Sequence, residues 1–379
     1  MKVEIEYAAF HDIVGHAAKA VAVRPTTPVI AGMVLRAESD ALHASAFDFE
    51  LAVRASAGAT VGEPGAVLVS GRLLAEITRA LPKLPVTLTT DGARLVLTCG
   101  AYRYILACMP LDEYPSLPDS PPIIGRVEAA AFADAAAQAS LAADRDETLP
   151  FLTGTRLEFE PEHVRLVATD RYRLAVRDVP WRPERAQQRE PAADGSALVP
   201  ARMLLEAAKL FTSRPGEQVE IGHSEGRLGL SSAGLEVTLR QLDGSFIRYA
   251  QLFPEQYAGC AIVEVAALVA ALKAISLVAE RNTPVRMEFT AGQVTVGAGS
   301  GDQAAASVTI DAGYDAAEPV AIAANPAYLL DGLAALGTPY AALRYPEKRR
   351  PVVISGLSAP HAEPDEEFRY LFIPVRSGV

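Results

Sequence analysis

Three Ala-rich stretches, FHDIVGHAAKAVAV (10–23), FADAAAQASLAADR (132–145) and LVAALKAISLVAER (268–281), place apolar residues at helical spacing and predict three amphipathic helices. Each is followed by a region of alternating apolar and polar residues, 29–47, 152–169 and 285–296, which predicts paired strands. A second amphipathic run then appears in each third, at 71–81, 201–211 and 326–336. Pro326 suits a first helical turn and Asn325 a helix N-cap. Further alternating segments, 86–106, 219–242 and 342–375, predict more hairpins. The order helix, strands, helix, strands thus occurs three times, at intervals of roughly 120 to 135 residues. Solenoid repeats run only about 20 to 50 residues, so these are domains. Pro-rich joints at 114–122 and 252–259 support the divisions. The expectation is an α+β protein of three similar domains, 1–120, 121–253 and 254–379.

Composition narrows the function classes. Hydrophobic residues make up 50% of the chain, enough to build cores. The longest apolar stretches, such as 263–272, fall far short of the roughly 20 residues of a membrane span, so no membrane segment is expected. The opening MKVEIEYAAF has acids where a signal peptide needs an apolar segment, which predicts a cytoplasmic protein. Cys99, Cys108 and Cys260 are too scattered for a disulfide framework or a thiolate zinc site and read as buried apolar residues. The histidines lack metal-site spacing, so neither metal nor cofactor is expected. GHSEG (222–226) fits the G-x-S-x-G pattern, but alternating residues on both sides make it a hairpin turn rather than a strand-to-helix elbow. GAGSG (297–301) has neither the spacing nor the following helix of a dinucleotide site. No catalytic residue is assigned.

The net charge of −11 argues against a nucleic-acid partner unless charge is segregated. Lys19, Arg72, Arg79, Arg202, Lys209 and Lys273 lie on the predicted helices, with Arg24, Lys83, Arg145, Arg214 and Arg281 at or just past helix ends. Acids on the same helices, chiefly Asp12, Glu76, Asp134, Glu206, Glu280 and Asp331, are fewer. The residues alone allow two readings: ordinary solvated helix faces, or a basic surface for a phosphate backbone. LVATDRYRLAV (166–176) is similarly double, a strand interrupted by a plain hairpin turn or by a polar site.

Six short motifs weigh on these choices: RPTTP (24–28), EYP (113–115), LTG (152–154), ATDRYRLAV (168–176), NPAYLLDGL (325–333) and YLFIPVR (370–376). In kind and order they resemble the bacterial sliding clamp family, the beta subunits of DNA polymerase III, over nearly the whole chain. The resemblance implies three clamp domains of two helices and two sheets each, and a homodimer closed head to tail into a ring. It implies a noncatalytic processivity factor that encircles double-stranded DNA without reading sequence. The implied partners are the DNA polymerase III alpha subunit, a clamp loader, and other polymerases and repair proteins that dock through short peptides. Arg24, Arg72, Arg79, Lys83, Arg145, Arg202, Lys209 and Lys273 then become candidate DNA contacts. The matching motifs place a peptide groove at Leu152, Thr169, Arg171, Tyr172, Arg173 and Leu174 in the second domain, continued by Ile247, Gln251 and Leu252. From the third domain it takes Asn325, Tyr328, Leu371, Phe372, Ile373, Pro374, Val375 and Arg376, with Arg173 expected to meet the peptide. Read simply as residues, YLFIPV is equally a core or edge strand. Tyr104 and Leu106, facing Leu277, are candidates for the dimer contact; Leu106 and Leu277 read as well as core residues.

Departures from the family pattern fall in the groove and the tail. A proline common after Asp-Gly-x-Phe is replaced here by Ile247, the first domain has Ala46, Phe47, Asp48, Phe49 and Glu50 where Thr-Asp-Leu-Glu is frequent, and the chain runs on to Ser377, Gly378 and Val379. These fit a divergent or second-copy clamp. The alternative function is a clamp-like protein-binding scaffold without a role in DNA processivity.

Overall fold

The computed structural model describes residues 1–146, 148–184, 195–212, 216–277, 283–298, 305–314, 318–346 and 351–375. Among them are six α-helices, two in each third: α1 Tyr7–Ala17, α2 Gly71–Ala80, α3 Ala129–Ser140, α4 Ala201–Lys209, α5 Val265–Ser276 and α6 Pro326–Ala335. The leading helix of each third starts and ends earlier than its apolar spacing predicted. A short strand runs directly into it in every case, Lys2–Ile5, Ile123–Glu128 and Gly259–Glu264. A glutamate stands at each strand-to-helix turn: Glu6 and Glu264 are N-caps, and Glu128 Oε2 accepts the Ala131 N–H at 2.6 Å. These strands pair antiparallel in one repeated register, Ile5 opposite Val86, Val127 opposite Val219 and Val263 opposite Ala341. All six residues are buried, so the same apolar pairs recur under the leading helix of each third.

By packing, the described chain forms two compact units, Met1–Ala133 with Pro180–Leu242, and Asp134–Val179 with Asp243–Val379. In the first unit, the Leu51–Gly58 strand of the first third pairs with Leu235–Arg240 of the middle third, Leu51 opposite Leu239 and Ala55 opposite Leu235. In the second unit, Arg173–Pro183 of the middle third pairs with Phe368–Phe372 of the last, Arg173 opposite Phe372 and Arg177 opposite Phe368. Following the hairpin registers through each third makes Leu51 equivalent to Arg173, and Leu239 to Phe372. One register is therefore used twice to carry a sheet from one third into the next.

Within the second unit, α6 buries Leu329 and Leu333 and presents Gly332 to Tyr370, where a Cβ would lie 2.5 Å from the ring; only glycine allows this approach. GHSEG closes the hairpin of Gln218–Ser224 and Arg227–Ser232, with Ser224 opposite Arg227 and Gly226 at φ +77°, so it is a turn. Part of GAGSG, residues 299–301, lies outside the described residues, as do Arg214, Glu280, Arg281, Arg376 and the three residues after it. Cys99 is buried, but Cys108 and Cys260 are only half-buried, because both sit near strand ends where the core thins. Among the described residues no helix is long and apolar enough to cross a membrane.

Candidate functional site

The turn inside ATDRYRLAV is built by two side chains. Asp170 Oδ1 accepts the N–H groups of Tyr172 and Arg173, both at 2.9 Å, and Thr169 Oγ1 accepts from Arg171 N–H at 3.1 Å while donating to the Arg173 carbonyl at 2.7 Å. This arrangement holds Arg171 in the left-handed region at φ +79° and turns Arg171 and Tyr172 out to solvent. Arg173 turns inward and is 7% exposed. Its Nε donates to Asp170 Oδ2 at 2.9 Å, its Nη1 to Asp331 Oδ2 at 2.6 Å, and its guanidinium lies 4.6 Å above the centre of the Tyr328 ring. Burial works against the charged guanidinium, but Tyr370, Asp331 and Asp170 outweigh it and raise its pKa further. Burial also pushes the Tyr370 and Tyr328 hydroxyls up.

Within the chain Arg173 therefore acts as a strut, its Nε and Nη1 donating to carboxylates of the turn and of α6. The side chain that completes the strut is Asp331, which in the sequence reads only as one of the helix acids.

Beyond the Phe368–Phe372 strand the chain is pinned at alternate residues. Ile373 N–H donates to the Tyr172 carbonyl at 2.8 Å and Val375 N–H to the Ala323 carbonyl at 2.7 Å, while Pro374 between them has no N–H to give. The side chains of Ile373 and Val375 are exposed, as is that of Tyr172, leaving apolar groups in solvent. Leu152, Thr169, Leu174, Leu371 and Phe372 are buried beneath the surface. Asn325 caps α6, accepting from Ala327 N–H at 2.9 Å as its position predicted. Ile247 is half-buried. Gln251 and Leu252 line a hollow of about 1070 Å³ with Ala250, Phe253–Ala258, Pro346 and Pro351; none of the turn or tail residues lines it. The structure thus brings together the turn, Tyr328 and the tail, and sets Gln251 and Leu252 in their own hollow.

All eight candidate DNA contacts, Arg24, Arg72, Arg79, Lys83, Arg145, Arg202, Lys209 and Lys273, are exposed. Arg72 is engaged along its own helix, Nε 3.0 Å from Glu76 Oε1, and Lys19 Nζ lies 2.9 Å from Glu206 Oε2 on α4. Arg79, Arg202, Lys209 and Lys273 make no ion pair with a carboxylate among the described residues. Neither α3 nor α6 carries a basic residue.

Two of the strand edges without a second ladder partner among the described residues belong to the long outer strands of the first and last thirds. Residues 102–107 of the Tyr102–Met109 strand pair on one side only, with Arg94–Cys99, and residues 306–311 of Ala306–Tyr314 pair only with Gln293–Ala298. In the repeat, Tyr102 is equivalent to Leu235 and to Phe368. Where Leu235 is 7% exposed and Thr238 3%, the equivalent Tyr102 is 50% and Ile105 49%. Leu106 points into the core of its own third opposite Leu95, so Ile105, not Leu106, is the outward apolar residue; Tyr104 is half-buried. Leu277, at the end of α5, is 87% exposed.

Sequence models of the DNA polymerase III beta subunit match the chain three times, the N-terminal domain over residues 1–118, the central domain over 126–247 and the C-terminal domain over 250–376. The beta sliding clamp of Streptomyces coelicolor is 44% identical over 381 residues, covering 99% of both chains, and the beta sliding clamp homolog GriR of Streptomyces muensis is 38% identical over 376 residues with the same coverage. A solved DNA polymerase sliding clamp from Caulobacter crescentus superposes with a TM-score of 0.87 at 26% identity over all of both chains. Three clamp domains match in family order through almost every residue: the chain belongs to the DNA polymerase III beta subunit family, that of the beta sliding clamps.

Proposed function

We propose that two copies of this noncatalytic chain close head to tail into a ring around duplex DNA and carry replication partners, the polymerase and the clamp loader among them, on a peptide-docking surface. The observation that carries this reading is the pair of leftover strand edges. The two edges joined within each unit use one register, and the leftover edges are their repeat equivalents. Carried over, that register sets Tyr102 opposite the partner's Val308, Arg103 opposite the partner's Ser307 and Tyr104 opposite the partner's Ala306. Each chain offers one edge of each kind, so two copies leave neither of these two open. Tyr102 and Ile105 would then be covered as Leu235 and Thr238 already are. Leu277 stands at the repeat position of Lys19, which reaches α4 of the following third. In a dimer it would reach α2 of the second copy, where Leu73 is exposed.

Arg79, Arg202, Lys209 and Lys273, together with Arg24, Arg72, Lys83 and Arg145, supply exposed cations for a phosphate backbone without base readout. Tyr172, Ile373 and Val375 supply an apolar surface for the hydrophobic anchors of partner peptides, on a frame held by Arg173.

The test is a cross-link. Tyr104→Cys with Ala306→Cys places thiols on a directly opposed, non-hydrogen-bonded pair, where Cα atoms lie about 4.5 Å apart. Oxidised after loading on nicked circular duplex, this variant should form a closed two-chain species that survives denaturant on the circle and leaves when the circle is cut. Tyr104→Cys with Ser307→Cys, one residue out of register, should link poorly. Retention that ignores cutting, or equal linking of both variants, would refute the ring or its register.

A further inference from the structure

In each third the second helix carries an acid at the same repeat position, Glu76, Glu206 and Asp331, and each is engaged by a different cation: Arg72, Lys19 and Arg173. Glu206 differs from the other two in what surrounds it. Its Oε2 lies 2.9 Å from Lys19 Nζ, which comes from the 3-10 turn Ala18–Ala20 of the first third. Arg202 and Lys209 stand four residues before it and three after it on α4, on the same helix face. The hydrogen bond and charge of Lys19, with the fields of Lys209 and Arg202, hold Glu206 below the usual carboxylate range. One carboxylate is therefore paired with Lys19 and flanked on its helix face by Arg202 and Lys209, and the cluster remains open to solvent, with Lys19 and Glu206 each about half exposed. A backbone phosphate seeks the same surroundings.

We propose that Glu206 is a built-in competitor for DNA phosphate: it occupies Lys19 and offsets Arg202 and Lys209, so that this cluster holds the backbone loosely enough for the ring to slide. The proposal rests on the DNA reading given above. A solvated ion pair of this kind is weakly held, so phosphate and Glu206 exchange readily, and the carboxylate sets how many counterions the duplex gives up at this cluster.

Duplex affinity of the full-length protein, measured by fluorescence anisotropy on a short labelled duplex over a series of salt concentrations, tests it. Glu206→Gln keeps the side-chain shape and removes the charge. The expected result is severalfold tighter binding at low salt and a log–log salt slope steeper by about 0.9, one extra phosphate neutralised. Lys19→Met combined with Glu206→Gln should return the slope to that of the unaltered protein. Asp91→Asn removes the same charge from an exposed position at the end of a strand and should leave the slope as it was. A Glu206→Gln slope that does not steepen, or one matched by Asp91→Asn, overturns the proposal; so does a lowered unfolding midpoint with an unchanged slope, the mark of a mere strut between thirds. If the unaltered protein is retained on circular DNA while Glu206→Gln binds no differently, the role of Glu206 fails alone. If the unaltered protein neither binds duplex in a salt-dependent way nor stays on circles, the DNA reading fails and takes this proposal with it.

Discussion

The turns at Asp48–Leu51 and Asp170–Arg173 occupy equivalent places in the first and middle thirds, and their backbones are nearly the same. Asp48 Oδ1 accepts the N–H groups of Glu50 and Leu51 at 3.0 and 2.7 Å, as Asp170 Oδ1 accepts those of Tyr172 and Arg173. Phe49 stands at φ +77° and Arg171 at φ +79°. Each turn opens the strand that carries a sheet into the following third. They part at the last residue. Leu51 is a buried apolar side chain, and Glu50 meets Arg240 at 3.4 Å in an exposed pair. Arg173 is a buried cation clasped by Asp170 and Asp331. The aspartate-built turn is thus a device of the repeat, needed wherever thirds join. What is special to the middle third is the cation that ties this turn to α6 and leaves Tyr172 beside the tail.

Making the second turn copy the first gives the largest effect. Arg173→Leu leaves the buried Asp170 without its cation, and removing one partner of a buried pair costs about 3–5 kcal/mol. Hydrogen exchange under increasing denaturant should show Asp134–Val179 and Asp243–Val379 opening early, with Met1–Ala133 unaffected. A wild-type exchange pattern would mean that Arg173 holds nothing. A smaller change separates charge from turn. Asn accepts the same N–H groups as Asp, so Asp48→Asn should move stability by less than about 0.5 kcal/mol, while Asp170→Asn weakens a charged hydrogen bond and should cost about 1.5–3 kcal/mol. Equal costs in parallel unfolding curves would erase the distinction between the turns.

How far this was legible in the sequence follows the same line. The helices were visible because ten or more residues repeat an apolar face. The leading strands are not legible because each runs straight into its helix, with no turn residue to mark the boundary. At the site, TDRYR was readable as both turn and functional surface, yet the inward path of Arg173 was not, since its partner Asp331 lies 158 residues away. A faint signal existed: Tyr328 and Asp331 are three apart on α6 and share a face, so a cation stacked on one could reach the other. At the open edge, sequence leaves Leu106 as either a dimer contact or a core residue, because it does not say which face of an alternating strand looks inward; burial opposite Leu95 puts Leu106 in the core.

The shared backbone predicts a shared response to glycine. A residue with a Cβ in the left-handed region costs about 1–2 kcal/mol, and glycine returns about half of that through the flexibility of the unfolded chain. Phe49→Gly and Arg171→Gly should therefore each stabilise the protein by roughly 0.5–1 kcal/mol. Thermal midpoints that rise for one and fall for the other would show that the two turns are not the same device.

The weakest effect separates the two acids that reach across thirds. Lys19 and Glu206 are both about half exposed, whereas Arg173, which holds Asp331, is buried. An exposed pair contributes about 0.2–1 kcal/mol and is screened by salt, while a partly buried one is screened less. The pH sign follows from the depressed Glu206 carboxyl: its contribution is whole above the ordinary value of 4.5 and disappears as pH falls through the lower folded value. A double-mutant cycle on Lys19→Met and Glu206→Gln should therefore give a small coupling at neutral pH and low salt that vanishes in molar salt or strong acid. The cycle on Arg173→Leu and Asp331→Asn should keep most of its coupling in the same salt. If both couplings fall together, burial is not what distinguishes the two junctions, and the middle third's turn is no more than the first one with a longer side chain.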